Sequence, residues 1–519
     1  MNSTETCFSD IYLKFTDLYL RTQVKEEEPK ARIPEKVVRC IWNDQLIKTD
    51  DLATTDGEKL EVVFPGFWNF GPGPDFNKGI IKVNGKTYHG DIEIHVYAGD
   101  WKTHQHSSNA DYDNVILHVF LWKSRGGKIP LNGKKKKKPS PPTGAHIFEL
   151  ELKDFLEKGI LDLKDQLDFD NYPIIHKFNC GLCHEPLARL SKEKLDYLLN
   201  SAGEARVLTK MGRFHDKVIL RGYEQTFYEG LAEALGYPIN KKAFQNLAEA
   251  LPLEKIKTLV PGKLSDEEKI LHVEAMLFGV SGLIDFDQFT QNDLSSEGRV
   301  FFDKMGDLWE KYEKKVYTRP MNRRHWKFGG IRPANFPYRR LAALAHLVVR
   351  HWNSGIFGDC IEEFKSAVSI SEQKGYTGKT ARKFNNFFCV ETRDYWAYHY
   401  SPGGKKLSSP QKLVGPARSK EIAVNILIPI GLIYARASRS GPLEKGFSML
   451  YQSGRGPADN KLIRFMKHYI FGDKEEMIKL LSSDKQGQGL MQVYQDFCTQ
   501  NENNCLACSF PGVVEKYFS

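Results

Sequence analysis

Gly90-Asp91-Ile92-Glu93-Ile94-His95-Val96 is the stretch whose reading decides the fold. Alternation of period two puts Asp91, Glu93 and His95 on one face of a strand and Ile92, Ile94 and Val96 on the other. The apolar face calls for a core, and the other face carries acid–base groups. Upstream, Gly79-Ile-Ile-Lys-Val is set off by Asn84-Gly85, a pair suited to the tight turn of a β-hairpin. Lys59-Leu-Glu-Val-Val-Phe and residues 115–122 read as further strands, and His146-Ile-Phe-Glu-Leu-Glu-Leu resumes the sheet. Before them, Pro34 suits a first helical position, and Val37, Val38, Ile41 and Trp42 make one apolar stripe.

Beyond about residue 155 the apolar period changes to that of helices. Residues 192–235, 241–251, 266–279, 297–312, 337–352, 418–438 and 461–470 follow it, with no fixed repeat length. The fold class expected is therefore α/β plus all-α, a mixed-sheet domain followed by an irregular helical domain. The domain reading is an extension over 1–30, an α/β domain over 31–160, and a helical domain over 161–519 with a C-terminal cysteine cluster.

A chain of 519 residues, 41% hydrophobic and 27% charged, has material for more than one core. It has no apolar run near the roughly 20 residues of a membrane helix, and its first residues lack a signal peptide's pattern. No membrane partner and a cytoplasmic location are expected. The net charge of +9 leans mildly toward polyanions. The run Lys134 to Lys138 reads as an exposed loop between strands.

Five histidines fall between Glu61 and Trp122, beside several carboxylates. Asp75 follows Gly73-Pro74, where a tight turn aims its carboxylate. Pro74-Asp75 on one strand and Glu93-Ile-His95 on the next resemble the PD-(D/E)xK nuclease superfamily. That resemblance implies a restriction-endonuclease-like domain, a Mg²⁺ or Mn²⁺ ion held by Asp75 and Glu93, and a water oriented by His95. Glu35 stands where such nucleases often place a further carboxylate. His95 replaces the usual lysine. Asp91, His104 and His106 are expected to assist the metal, the two histidines sharing a face if residues 101–106 are extended, together with Asp100. A loop-anchoring role for His104 and His106 is the alternative, and His118 reads as a core histidine.

The cysteines carry a second pattern. Cys180-Gly-Leu-Cys183 lies between the halves, and Cys498, Cys505 and Cys508 lie at the end. Cys180, Cys498, Cys505 and Cys508, with Cys183 competing for a place, suit structural Zn²⁺ or an iron–sulfur cluster; buried free thiols are the alternative. Arg332, Asn335, Arg339 and Arg340 gather near a helix start, as a nucleic-acid grip or as a salt-bridged helix junction.

The chain as a whole resembles an uncharacterised bacterial family, domain of unknown function 2851. The carrying pieces are Gly73-Pro-Asp-Phe, Gly90-Asp-Ile-Glu-Ile-His, Asp100-Trp-x-x-His-x-His and Tyr112-Asp-Asn-Val-Ile-Leu-His-Val. Later ones include Glu274-Ala-Met-Leu-Phe-Gly and Arg332-Pro-Ala-Asn-Phe-Pro, from about Glu35 to the C-terminus. The family brings no established activity. The function expected is a metal-dependent nuclease or phosphodiesterase acting on nucleic acid, DNA foremost. A catalytically silent binding scaffold and a small-molecule metal hydrolase are the alternatives.

Overall fold

The computed structural model describes residues 33–499 and 505–518, except 50, 70–71, 124–145, 168–171, 173–180, 287–293, 317, 329–330, 375–377, 454–460, 473–477, 479–480 and 482. The expected extension over 1–30, the lysine run and Cys180 lie outside these residues. The chain divides into two compact units. One is Met1–Ala202 with Asp459–Leu480 and Gly489–Ser519; the other is Gly203–Ala458 with Leu481–Gln488.

The first unit is built on a mixed sheet. Its strands are β1 (Leu60–Phe64), β2 (Phe67–Trp68), β3 (Phe76–Val83), β4 (Lys86–Tyr97), β5 (Val115–Trp122) and β6 (Phe148–Glu151). The order is β1-β3-β4-β5-β6, with β2 also paired to β3. The β1, β3 and β4 pairings are antiparallel, whereas β4, β5 and β6 run parallel. A parallel neighbour needs a crossover, and residues 98–114 make the one between β4 and β5. The β3–β4 hairpin turns at Asn84 and Gly85, both with positive φ, as their residue types favour.

Ile92, Ile94 and Val96 join Ile81, Leu117, Val119, Leu121 and Leu150 in one apolar layer. The helix Glu35–Asp44 covers that layer with Val37, Val38, Ile41 and Trp42. Pro34 is its N-cap, one position earlier than expected, and offers no side-chain cap. Burial holds the helix instead, at about 1.5–3 kcal/mol for each large aliphatic side chain. The register carries a polar row across the opposite face: Glu93 pairs with His118, and His118 with Glu149.

The second unit is helical. The sequence periods reappear as Tyr237–Ala250, Asp266–Ser281, Ser296–Val316, Pro337–Arg350 and Ile428–Ala437, and the helical stretch Lys192–Leu235 is broken by a kink at Gly222. Ser265 and Glu268 form a reciprocal capping box at the start of Asp266–Ser281. Gly279 lets that helix lie against Trp309, since a Cβ there would fall 2.1 Å from the indole. Phe278, Tyr338 and Trp396 stack in its core. Among the described residues no helix is long and apolar enough to cross a membrane.

Candidate metal centre

The polar face of β4 is closed by the crossover that follows it. A short helix, Asp100–Thr103, ends at His104; Gln105 then takes a left-handed conformation and His106 opens a 3₁₀ turn. Residues 101–106 are thus not extended, as the sequence reading had supposed. The reversal at Gln105 still brings both histidines to His95, His106 buried and His104 exposed. Nδ1 of His104 lies 3.1 Å from Nε2 of His95, and Nε2 of His106 lies 3.2 Å from it. Oε1 of Glu93 stands 3.1 Å from His106 Nε2 and 3.5 Å from His95 Nε2.

Lone-pair atoms of His104, His106 and Glu93 therefore crowd His95 Nε2, and Glu93 also reaches His106. Neutral ring nitrogens this close repel unless a proton or a cation lies between them, and His95 Nε2 has at most one proton to share among three neighbours. Bonds of about 2.0–2.1 Å to a tetrahedral Zn²⁺ imply ligand-to-ligand edges of about 3.3 Å. The four measured separations bracket that value. His95, His104 and His106 place their ligating atoms within 4.8 Å of one another, and His104 is the exposed member that leaves the centre reachable.

The other nitrogen of His95 is also engaged. Its Nδ1 lies 3.0 Å from Nε2 of His118, whose own Nδ1 points to Glu149 Oε1 at 3.6 Å. If His95 Nδ1 donates, its Nε2 is left free to ligate, which is how an outer group commonly fixes a ligand's tautomer. His118 is fully buried, as a core histidine would be, but it also orients His95. Trp101 and Tyr112 wall the site: the Tyr112 ring stacks on His106 at 3.9 Å, and Trp101 packs edgewise against His95 and His106.

Burial sets the electrostatics. It pushes the Glu93 carboxyl up to about 8, against the opposing pull of Arg39 and of the Asp75 N–H. It lowers His106 to about 4 and holds His95 well below the usual imidazole range, with the neighbouring histidines adding to the effect. Burial likewise raises the Tyr112 hydroxyl. Burial thus keeps His95 and His106 neutral, the form in which imidazoles ligate a metal, and a bound cation would displace the Glu93 proton.

Asp75 and Glu35 sit beside this centre. Asp75 donates its backbone N–H to Glu93 Oε2 at 3.0 Å, and its Oδ2 accepts from the Ile94 N–H at 3.1 Å. Arg39, one turn after Glu35 on the first helix, pairs with Glu35 and places Nε 2.9 Å from Asp75 Oδ1. Arg39 went unnoticed in the sequence, although its spacing from Glu35 is the signal that would have found it.

Two expected helpers are employed elsewhere. Asp91 Oδ1 accepts from the N–H of Lys78, the left-handed residue of a bulge in β3. Asp100 Oδ2 accepts from the Tyr97 N–H. The basic group of the helical unit turns inward as well. Arg339 and Arg340 are buried, donating to the carbonyls of Gln411, Lys412 and Leu413, and Arg340 also bonds Asn335. Arg332 remains exposed.

The cysteines gather in the first unit. Cys183 and Cys505 are buried, and Cys498 and Cys508 are partly so. Burial and then the thiols of Cys183, Cys508 and Cys505 raise Cys498 well above its usual value, which places the four within electrostatic reach. The Cys505-x-x-Cys508 turn closes through a 3.1 Å bond from the Cys508 N–H to the Cys505 carbonyl.

Residues 35–455 match the family model described as "Protein of unknown function (DUF2851)". No curated protein and no solved structure matches the chain. The C-terminal cysteines lie beyond the matched residues, so the likeness stops short of the C-terminus to which it was expected to run.

Proposed function

We propose that this chain, which belongs to the DUF2851 family, is a metal-dependent phosphodiester hydrolase acting on nucleic acid. The observation that carries the reading is the gathering of His95, His104 and His106 ligating atoms within 4.8 Å of one another, with Glu93 Oε1 against His95 and His106. The choice of a phosphodiester rests on the order of elements: Glu35 on the first helix, Asp75 at the head of β3, and Glu93-Ile-His95 on the next strand. That order is shared with the PD-(D/E)xK nucleases which the sequence resembles.

Glu93, His95, His104 and His106 would hold the metal, and three imidazoles favour Mn²⁺, Fe²⁺ or Zn²⁺ over Mg²⁺. A divalent cation there would polarise a phosphoryl oxygen and lower the pKa of a bound water. Asp75 positions Glu93 through its N–H, and Arg39 holds Asp75 and Glu35 together. His95 has no exposed surface, so it fits a ligand better than the water-orienting base expected at first. We further infer that Cys183, Cys498, Cys505 and Cys508 hold structural zinc or an iron–sulfur cluster. Metal analysis with loss of that metal in Cys505→Ser tests this.

The central test incubates the full chain with labelled single- and double-stranded DNA and RNA in Mn²⁺ or Mg²⁺, beside Glu93→Ala and His106→Ala. Cleavage that needs Mn²⁺ and is lost in both variants supports the reading. Cleavage that survives both removes it. Hydrolysis of a chromogenic phosphodiester without cleavage of any nucleic acid would favour a small-molecule substrate, the reading that the inward-turned Arg339 and Arg340 support.

A further inference from the structure

The helical unit holds a second convergence of ligating groups, formed by three segments distant in sequence. Glu274 lies in the middle of the helix Asp266–Ser281, His346 on the helix Pro337–Arg350, and Asp394 caps the turn Tyr395–Tyr398. One ligating atom from each falls within 4.8 Å of the others. Nε2 of His346 meets Oδ2 of Asp394 at 2.6 Å, while Oδ1 of Asp394 accepts from the Trp396 N–H at 3.1 Å.

Glu274 is the group without an account. Its residue is 2% exposed, yet its Oε1 is buried and has no hydrogen-bond partner. Burial, with the Asp394 carboxylate beside it, pushes the Glu274 carboxyl well above its usual range, and an unsatisfied buried oxygen is costly in either form. Elsewhere in this unit buried carboxylates are answered: Glu229 meets Arg221 and Lys217, and Glu233 meets Arg213 and Lys241. At Glu274 the facing groups are another carboxylate and an imidazole.

We propose that Glu274, His346 and Asp394 form a second divalent-cation site that ties the helices Asp266–Ser281 and Pro337–Arg350 to the Asp394 turn. A cation answers the orphaned Oε1 and both carboxylates together. The donor set of one imidazole and two carboxylates suits Mn²⁺, Fe²⁺ or Zn²⁺. Bonds of about 2.1 Å at right angles give edges of about 3.0 Å, so exchanging the proton between His346 and Asp394 for a cation opens their 2.6 Å contact by only a few tenths of an ångström. Asp394, with its side chain 27% exposed, is the way in. Its capping bond and the Phe278–Trp396–Tyr338 stack keep that turn in register with the two helices. The site is independent of the β4 centre and of its proposed reaction.

The test uses metal-stripped full-length protein and Mn²⁺ alone, which thiols bind poorly, read by electron paramagnetic resonance and thermal unfolding. His104→Ala with His106→Ala removes two of the three imidazoles of the first centre and isolates the second. In that background we expect one bound Mn²⁺ carrying a nitrogen coupling, and a melting temperature that rises with Mn²⁺. Adding Glu274→Gln should weaken this binding by more than about 100-fold, beyond the 10–100-fold typical of an outer-group loss, and abolish the thermal response. Adding His346→Gln should remove the nitrogen coupling. Protein with His104→Ala and His106→Ala that binds no Mn²⁺, or that binds as before once Glu274→Gln is added, overturns the proposal. Should Glu274→Gln not fold, His346→Gln is read against the same two outcomes.

Discussion

The two histidine–carboxylate clusters were assembled in opposite ways. The β4 centre takes Glu93, His95, His104 and His106 from fourteen consecutive residues of one strand and the crossover after it. The helical cluster takes Glu274, His346 and Asp394 from three segments spread over more than a hundred residues. The first has an exposed histidine at its mouth, as a reacting site needs; the second buries its central carboxylate, as a structural tie does. A site of local origin is visible as a motif, whereas one formed by packing is visible only as an unanswered charge.

The largest effect expected falls on the first cluster. Glu93→Ala should reduce Mn²⁺-dependent cleavage by about 10³-fold or more, roughly 4 kcal/mol in the barrier, measured in single turnover. A loss under tenfold would make Glu93 a bystander and leave the two clusters with no functional difference.

Next come the buried carboxylates of the helical unit. Burial opposes the charge of Glu233, but Arg213, Lys241 and Lys217 outweigh it and hold the group down to about 2. A folded value below the unfolded 4.5 means the native state binds fewer protons. Its stabilisation is present above about 4.5 and is lost as pH falls toward about 2, some 3 kcal/mol in all. Urea unfolding across that window should show this slope in the wild type and a shallower one in Glu233→Gln, which should itself be destabilised by about 3–5 kcal/mol at pH 7. Metal-free Glu274→Leu should instead be neutral or more stable, because among the described residues no Lys or Arg answers Glu274 Oε1. Equal losses at the two positions would erase the contrast.

His118→Phe sharpens the role of the second histidine layer. It keeps a ring in the core but removes the partner of His95 Nδ1, and should weaken Mn²⁺ binding at the β4 centre by about 10–100-fold. Unchanged affinity would reduce His118 to a core residue. Asp91→Asn is the smallest change expected: the carboxylate serves the Lys78 bulge, so cleavage should stay within about threefold while stability falls by about 1 kcal/mol. A loss of activity as large as that of Glu93→Ala would put Asp91 back among the ligands.

What could be read beforehand was whatever depends on neighbours in the chain. The period of two in β4, the Asn84-Gly85 turn and the helical periods of residues 192–235 and 266–279 all act locally, and each reappears in the fold. Residues 101–106 misled because the alternation of His104 and His106 suits a strand, while the short helix and the left-handed Gln105 deliver the same two rings by another path. Arg339 and Arg340 read in sequence as a phosphate grip or as a salt-bridged helix junction. Their burial depends on carbonyls seventy residues away, which no local pattern reports.

By itself the sequence determined the class of the fold, the polar and apolar faces of β4, and the presence of Glu93 and His95 on the polar one, because side-chain direction along a strand alternates without reference to anything distant. Tertiary structure alone decided which of the nearby acids would join them. Asp91 and Asp100 went to backbone N–H groups, His118 came in from β5 to hold His95, and Glu274 met His346 and Asp394. Burial is a property of the packed chain, and it is burial that turns a hydrogen-bonding group into either a satisfied contact or a charge that needs an answer.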